Sequence, residues 1–190
     1  MTTAAAEDLC QLFHRNHNLA CIVLRRSRFF PEEDDNQRVR EAYSDASVKA
    51  NEYLYRRVDI EDDVSAHLLA SEHATSIGFR KYIISATTPF RPEDLADLRV
   101  DAPRVLRKRV LEFEAEYERR GWNMLPSIER VYVNERARTE LGWAPRYDFK
   151  YIINCLRAGG DPRSPLASLV GSKGYPMSSH TFLPRCSVIT

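Results

Sequence analysis

Apolar residues occur along the chain in two patterns, short continuous runs and stripes at helical spacing. The run at residues 20–24 predicts a strand buried on both faces, as in a parallel sheet, and residues 81–85 predict a second strand. Helical spacing and helix caps predict helices over 5–17, 48–55, 62–73, 92–98, 101–120, 134–142 and 148–158. Few strands among many helices indicate an α/β chain with too few strands for a complete doubly wound sheet.

Several predictions concern single positions. The first helix places Leu9, Leu12 and Phe13 on one face. Asp62 or Asp63 is expected to cap the third predicted helix, with its apolar residues facing inward: Val64, Leu68 and Leu69. One long helix over 101–120 is expected to bury an apolar stripe: Leu106, Val110, Phe113 and Tyr117.

Two connecting segments and the end of the chain complete the predicted organisation. Residues 58–60 are expected to be extended, as a short strand or as the lead-in to a helix, and residues 130–133 to form a weak strand. Beyond Gly160 the chain is rich in Gly, Ser and Pro and shows no periodicity. This pattern predicts one domain over residues 1–160 and an irregular tail over residues 161–190.

Composition and charge exclude several classes of partner. The chain has 190 residues, with 28 Lys and Arg against 27 Asp and Glu, so its net charge is only +1. That balance provides no field for a nucleic-acid backbone or an anionic membrane. No apolar run is long enough to span a membrane, and the start lacks the apolar stretch of a signal peptide. A cytoplasmic protein that binds neither nucleic acid nor membranes is therefore expected.

Motifs for catalysis or metal binding are weak or missing. No Gly-rich loop follows a strand, no Tyr stands four residues before a Lys, and residues 171–174 (G-S-K-G) are expected to be a flexible turn. Cys10, His14, His17 and Cys21 are zinc-ligand types, but their spacing matches no standard finger and Cys21 lies in a predicted strand. The four cysteines are expected to be free thiols, no metal site is expected, and no catalytic residue is assigned.

Three ordered strings resemble a known family. Residues 22–31 read I-V-L-R-R-S-R-F-F-P, residues 56–64 read R-R-V-D-I-E-D-D-V, and residues 134–145 read N-E-R-A-R-T-E-L-G-W-A-P. These strings are similar to motifs of the NAD-dependent epimerase/dehydratases, which are extended short-chain dehydrogenases, and UDP-glucose 4-epimerase-like members are the nearest. The resemblance covers roughly residues 4–158. It implies the carboxy-terminal part of a Rossmann-type fold, mostly helical, without the nucleotide-binding half.

The resemblance also implies roles for individual residues. The family's catalytic Lys would fall at about Thr3 and its Tyr just before Met1, so the base and the dinucleotide cradle are expected to lie outside this chain. Ser27 would lie near the cofactor, with Arg28 and Phe29 near the substrate. Arginines that could hold the diphosphate of a UDP-sugar are Arg56 or Arg57 and one of Arg119, Arg120 or Arg130.

The expected function is thus the substrate-binding role of an NAD-dependent sugar-nucleotide epimerase/dehydratase-like protein, truncated and inactive alone. NAD is the cofactor of the intact family, and this chain alone is not expected to hold it tightly. The alternative is a non-catalytic binding or interaction module on the same scaffold. A third hypothesis is that the chain is a truncated product without a stable function. A separate amino-terminal half or a second copy of the chain could cover the sheet edge left open.

Overall fold

The computed structural model describes residues 3–29, 31, 33–34 and 36–171. Two strands and ten α-helices form in the described part of the chain. In chain order they are α1 Thr3–His17, β1 Cys21–Arg26, α2 Gln37–Ala42, α3 Asp45–Glu52, α4 Ile60–Ile77, β2 Phe79–Ile84, α5 Leu95–Leu98, α6 Ala102–Arg109, α7 Phe113–Arg120, α8 Glu135–Glu140, α9 Phe149–Arg157 and α10 Pro165–Val170. A 3-10 turn, Pro92–Asp94, precedes α5. The predicted α/β class, with few strands and many helices, is confirmed.

The two strands form one small parallel sheet. Cys21 pairs with Phe79, and the register continues to Arg26 and Ile84. Beyond the paired strands a single parallel bridge joins Arg28 to Arg57. Each strand begins and ends within two residues of its predicted boundaries. The prediction that β1 is buried on both faces was wrong, because its apolar residues are only half-buried.

Helices cover both faces of the sheet. On one face, α1 is held by Glu7, whose carboxylate accepts hydrogen bonds from Arg25 (2.8 and 2.6 Å) and lies 3.0 Å from the Lys81 amine. These two cations lower the pKa of Glu7 to about 2. On the other face, α4 and α8 enclose a small core that is centred on Trp143, Tyr82 and Ile84.

The inward positions of α1 and α4 differ from those expected. Leu12 is 51% exposed and Leu68 is 61% exposed, and Leu9, Phe13 and Val64 are exposed as well. In α4 the buried apolar residues are small, Ala66 and Ala70, and they allow the helix to pack closely on the sheet. Apolar side chains therefore remain on the outer surfaces of both helices.

The start of α4 was predicted one turn too late. The cap is Asp59, whose carboxylate accepts a hydrogen bond from the Glu61 amide, and the helix continues to Ile77. Asp62 and Asp63 lie inside the first turn and are buried. The predicted extended segment 58–60 forms no strand beyond the bridge at Arg57. Val58 and the cap Asp59 are the lead-in, and Ile60 already belongs to the helix.

A larger core lies beneath α3, α6, α7 and α9. The predicted stripe is buried there, but residues 101–120 form two helices because Val110 is extended and interrupts them. Gly121 ends α7 in the left-handed conformation (φ 63°), which glycine adopts without steric cost. The weak strand expected at 130–133 does not form, although the Tyr132 amide donates to the Tyr55 carbonyl.

The last two helices of the described chain are α9 and α10. α9 matches its prediction closely, with Asp148 as cap and Phe149, Ile152, Ile153 and Leu156 buried. Residues 161–171 are not irregular throughout, because Ser164 caps α10 and is itself fully buried. Residues 172–174 of the predicted G-S-K-G turn lie outside the described residues, and so does Cys186. No helix in the described part of the chain is long and apolar enough to cross a membrane.

Candidate functional site

A cleft of about 750 Å³ opens between α3, the ends of α7 and α9, and the segment that contains α10. This volume falls in the range of small-molecule sites. Its aromatic lining residues come from three separate segments: Phe29, Tyr53 and Trp122. Its charged lining residues are Asp45, Lys49, Arg57, Asp59, Arg120, Asp161 and Arg163. The cleft therefore offers flat apolar surfaces beside four cationic side chains.

Arg120 and Trp122 contact each other in the lining of the cleft. The guanidinium carbon of Arg120 lies 5.3 Å from the centre of the Trp122 ring, which is within cation–π range. The Arg120 Nη2 atom donates to the Leu156 carbonyl (3.1 Å), and its Nε donates to Glu116, which also accepts from Arg119. The two arginines lower the pKa of Glu116, so the carboxylate stays charged. Both arginines are thus fixed on α7, but Arg120 is the one that lines the cleft.

Behind the cleft lies a cluster of three arginines around one buried carboxylate. Glu52 is 1% exposed at its side chain, and its two oxygens accept hydrogen bonds from Arg28 (3.1 Å), Arg56 (2.9 and 3.1 Å) and Arg57 (2.7 Å). We call these four residues the Glu52 cluster. They stand at the carboxyl end of β1 and at the residues that follow α3, so the sheet and that helix together fix the cluster.

A second carboxylate, Asp34, balances the outer side of the cluster. It accepts a hydrogen bond from Arg28 (2.6 Å) and lies 3.4 Å from the Arg56 guanidinium. Burial acts to raise the pKa of Asp34, but the Asn36 amide and Arg28 outweigh it and lower the pKa. The lowered pKa keeps Asp34 ionised, so it adds a second carboxylate beside the guanidinium groups of the Glu52 cluster.

The predicted substrate residues divide between these places. Phe29, Arg57 and Arg120 line the cleft. Arg57 also belongs to the Glu52 cluster, together with Arg28 and Arg56. Arg130 is exposed in the segment between α7 and α8 and does not line the cleft. Ser27, the predicted cofactor contact, is buried at the end of β1, and its hydroxyl has no hydrogen-bond partner among the described residues.

Several lining residues were not foreseen in the sequence. Lys49, Trp122 and Arg163 come from α3, from the turn after α7 and from the segment before α10. Lys49 bonds to the Pro31 carbonyl and to Asp45, and Arg163 pairs with Asp161 at 2.6 Å. The ion pairs Lys49–Asp45 and Arg163–Asp161 are local in sequence, and no periodic pattern relates the three segments to one another.

Two titratable residues of the cleft lining, Tyr53 and Asp59, are buried. Burial raises the pKa of the Tyr53 hydroxyl, so the phenol stays neutral at neutral pH. Asp59 is committed to structure, since it caps α4 and accepts from the Ser164 amide (3.3 Å). No group of three or more His, Cys, Asp or Glu side chains in the described part of the chain could hold a metal ion.

The described residues also do not fit the pyrophosphate of a dinucleotide. Such a site needs glycines between a strand and the following helix, where the backbone can approach the phosphates closely. Neither the segment after β1 nor the segment after β2 contains a glycine. Comparison with protein-family models gave no match for this sequence, and no curated protein matches it.

Proposed function

We propose that the cleft binds a sugar nucleotide, as the substrate-binding part of an NAD-dependent epimerase/dehydratase-like scaffold of Rossmann type, without turnover of its own. One observation carries this proposal. Phe29, Arg57 and Arg120 are far apart in sequence and were predicted as substrate contacts, and all three line the same cleft. The cleft that these residues line also has the volume of a small-molecule site.

The chemistry of a UDP-sugar matches the lining in kind. A planar base can lie against an aromatic ring such as Trp122, while arginine guanidinium groups match the geometry of phosphate oxygens. The cations are already paired with carboxylates, as Arg120 is with Glu116. A bound diphosphate would have to compete with those carboxylates, so we expect modest affinity, on the order of 10 µM to 1 mM.

We expect purified protein to bind a UDP-sugar and Arg120→Ala to weaken that binding by about tenfold or more, because a charge-assisted hydrogen bond is lost. Isothermal titration calorimetry with UDP-glucose measures both constants. Arg130→Ala is the matched control, since it removes an exposed arginine outside the cleft. Equal affinities for the two variants, or no binding by the unaltered chain, would contradict the proposal.

The same samples test the cofactor expectation. NAD should neither bind by calorimetry nor raise the melting temperature, because the described strands lack a glycine-rich turn after them. Incubation with a UDP-sugar and NAD should yield no epimerised product. Turnover by the purified chain would overturn the inactive assignment, while a retained UDP-sugar response without NAD would support a substrate site.

The alternative, a non-catalytic interaction module, is favoured by the outer edge of β1. This edge has no strand partner among the described residues, and open edges pair readily with strands of other chains. The flanking helices α1 and α4 leave Leu12 and Leu68 exposed. We infer that, in this alternative, a strand of another polypeptide pairs with β1.

Amide exchange measures whether the β1 edge is open. The Cys21 and Ser27 amides donate toward β2, so alternation directs the amides of Ile22, Leu24 and Arg26 outward. At low protein concentration these three should exchange at least about tenfold faster than the amides of Val23 and Arg25. Protection of all five at the lowest concentration would show that the edge is already covered. Protection that grows with protein concentration would indicate self-association.

A further inference from the structure

The side of α1 that faces the sheet carries three residues one turn apart. Glu7 binds Arg25 and Lys81 from the two strands, and the His14 ring stacks on Phe79 with 6.0 Å between the ring centres. Cys10 lies three residues after Glu7 and four before His14, so it occupies the same helical face. Its thiol therefore points toward the sheet between two established contacts.

The sheet presents a second thiol at that place. Arg25 faces α1, and side chains alternate along a strand, so Cys21 faces α1 as well. Cys21 is paired with Phe79, the residue on which His14 stacks. The two cysteines are consequently neighbours across the interface between α1 and the sheet. Burial and the Cys10 thiol both raise the pKa of Cys21.

Both thiols are free and partly accessible. Cys155, the third cysteine of the described chain, lies far along the sequence in α9, and its thiol donates to the Asp161 carbonyl. Cys10 and Cys21 are thus the one pair of thiols that the described fold brings together. Reaction between them requires no strand to separate, because helix and strand already meet there.

We propose that Cys10 and Cys21 are a redox modification site, at which a small disulfide such as oxidised glutathione converts the two thiols into an intramolecular disulfide. This inference is independent of the proposed sugar-nucleotide site.

The reaction proceeds by two thiol–disulfide exchanges. The Cys10 thiolate attacks oxidised glutathione, forming a mixed disulfide and releasing one glutathione thiolate. The Cys21 thiolate then attacks the Cys10 sulfur, forming the Cys10–Cys21 bond and releasing a second glutathione. Two protons leave the protein thiols and are taken up by the two glutathione thiolates, and the two electrons go to glutathione. The raised pKa of Cys21 lowers its thiolate fraction, which disfavours a first attack by that thiol.

The experiment uses the full chain with Cys155→Ser and Cys186→Ser, which leaves only the pair. Protein is equilibrated in glutathione buffers of increasing oxidised fraction, alkylated and digested with trypsin. Trypsin cleaves after Arg15, between the two cysteines, so an intramolecular disulfide joins two peptides. The expected product is this joined pair, lighter than the two reduced peptides together by two hydrogens. Separate glutathione adducts or disulfide-linked dimers as the main product would overturn the proposal.

Denaturation separates the effect of the fold from mere closeness in sequence. Residues 10 and 21 are near enough along the chain to pair in the unfolded state as well. If the fold holds the thiols together, the equilibrium constant for the disulfide should be at least about tenfold larger in native buffer than in concentrated urea. An equal or smaller constant in native buffer would overturn the proposal. Cys10→Ser and Cys21→Ser, each tested alone, should give no joined peptide.

Discussion

Glu52→Ala is expected to lower the free energy of unfolding by about 3–5 kcal/mol, because it removes one buried partner of several charged pairs. The carboxylate of Glu52 is 1% exposed and accepts hydrogen bonds from Arg28, Arg56 and Arg57. Without it, Asp34 is left to offset both Arg28 and Arg56. Arg57, which is only 6% exposed at its side chain, loses its ion pair with Glu52. The desolvated positive charge then disfavours the folded state.

Urea unfolding followed by far-ultraviolet circular dichroism measures this loss. Glu72→Ala is the matched control, since Glu72 is exposed on α4 and should change stability by no more than about 0.5 kcal/mol. Glu52→Gln keeps the shape and removes only the charge, so its effect should be smaller than that of alanine. A loss below about 1 kcal/mol for Glu52→Ala would show that the cluster contributes little to stability.

Trp143→Ala is expected to cost a similar amount, about 3–5 kcal/mol, through a different mechanism. The Trp143 side chain is 1% exposed in the core between the sheet, α4 and α8, and alanine leaves a cavity there. Its indole nitrogen also donates to the Asp62 carbonyl (3.1 Å) and to the Ser65 hydroxyl (3.0 Å). Loss of the donor leaves the Asp62 carbonyl and the Ser65 hydroxyl without this partner.

Two further variants test how much of this loss comes from the missing donor and how much from the position of Trp143 in the core. Trp143→Phe preserves most of the volume and removes the donor, so it should cost roughly 1–2 kcal/mol. Trp122→Ala removes the other tryptophan, which is only half-buried beside the cleft, and should be less destabilising than Trp143→Ala. Equal losses of unfolding free energy for Trp143→Ala and Trp122→Ala would contradict the predicted role of Trp143 in the core.

Local signals in the sequence predicted some elements well. α9 has a capping Asp148, whose carboxylate accepts from the Tyr151 amide, and a regular apolar stripe. By contrast, Asp59, Asp62 and Asp63 are equally good caps by residue type, so sequence alone could not select Asp59 as the start of α4. The choice depends on the lead-in to the helix, where Asp59 also accepts from the Ser164 amide.

Tertiary contacts decided the faces of α1 and α4. Apolar spacing favoured an inward Leu12, yet the inward side of α1 carries Glu7, because the strands present Arg25 and Lys81 to it. The cleft was harder to predict for the same reason. Trp122 and Arg163 reach it from turns and short segments, and no spacing rule relates such residues. Among the arginines that the family resemblance suggested as substrate contacts, Arg57 and Arg120 line the cleft, whereas Arg130 lies elsewhere.

The parallel register of the sheet also has a consequence for synthesis on the ribosome. Cys21 pairs with Phe79, nearly sixty residues later, so β1 leaves the ribosome well before its partner exists. At about 5–20 residues per second, the nascent strand waits roughly 3–12 s for β2. Pairing at this separation also carries a large loop-closure entropy, which slows folding. During that interval the apolar run from Cys21 to Leu24 is without the strand that pairs with it in the folded chain.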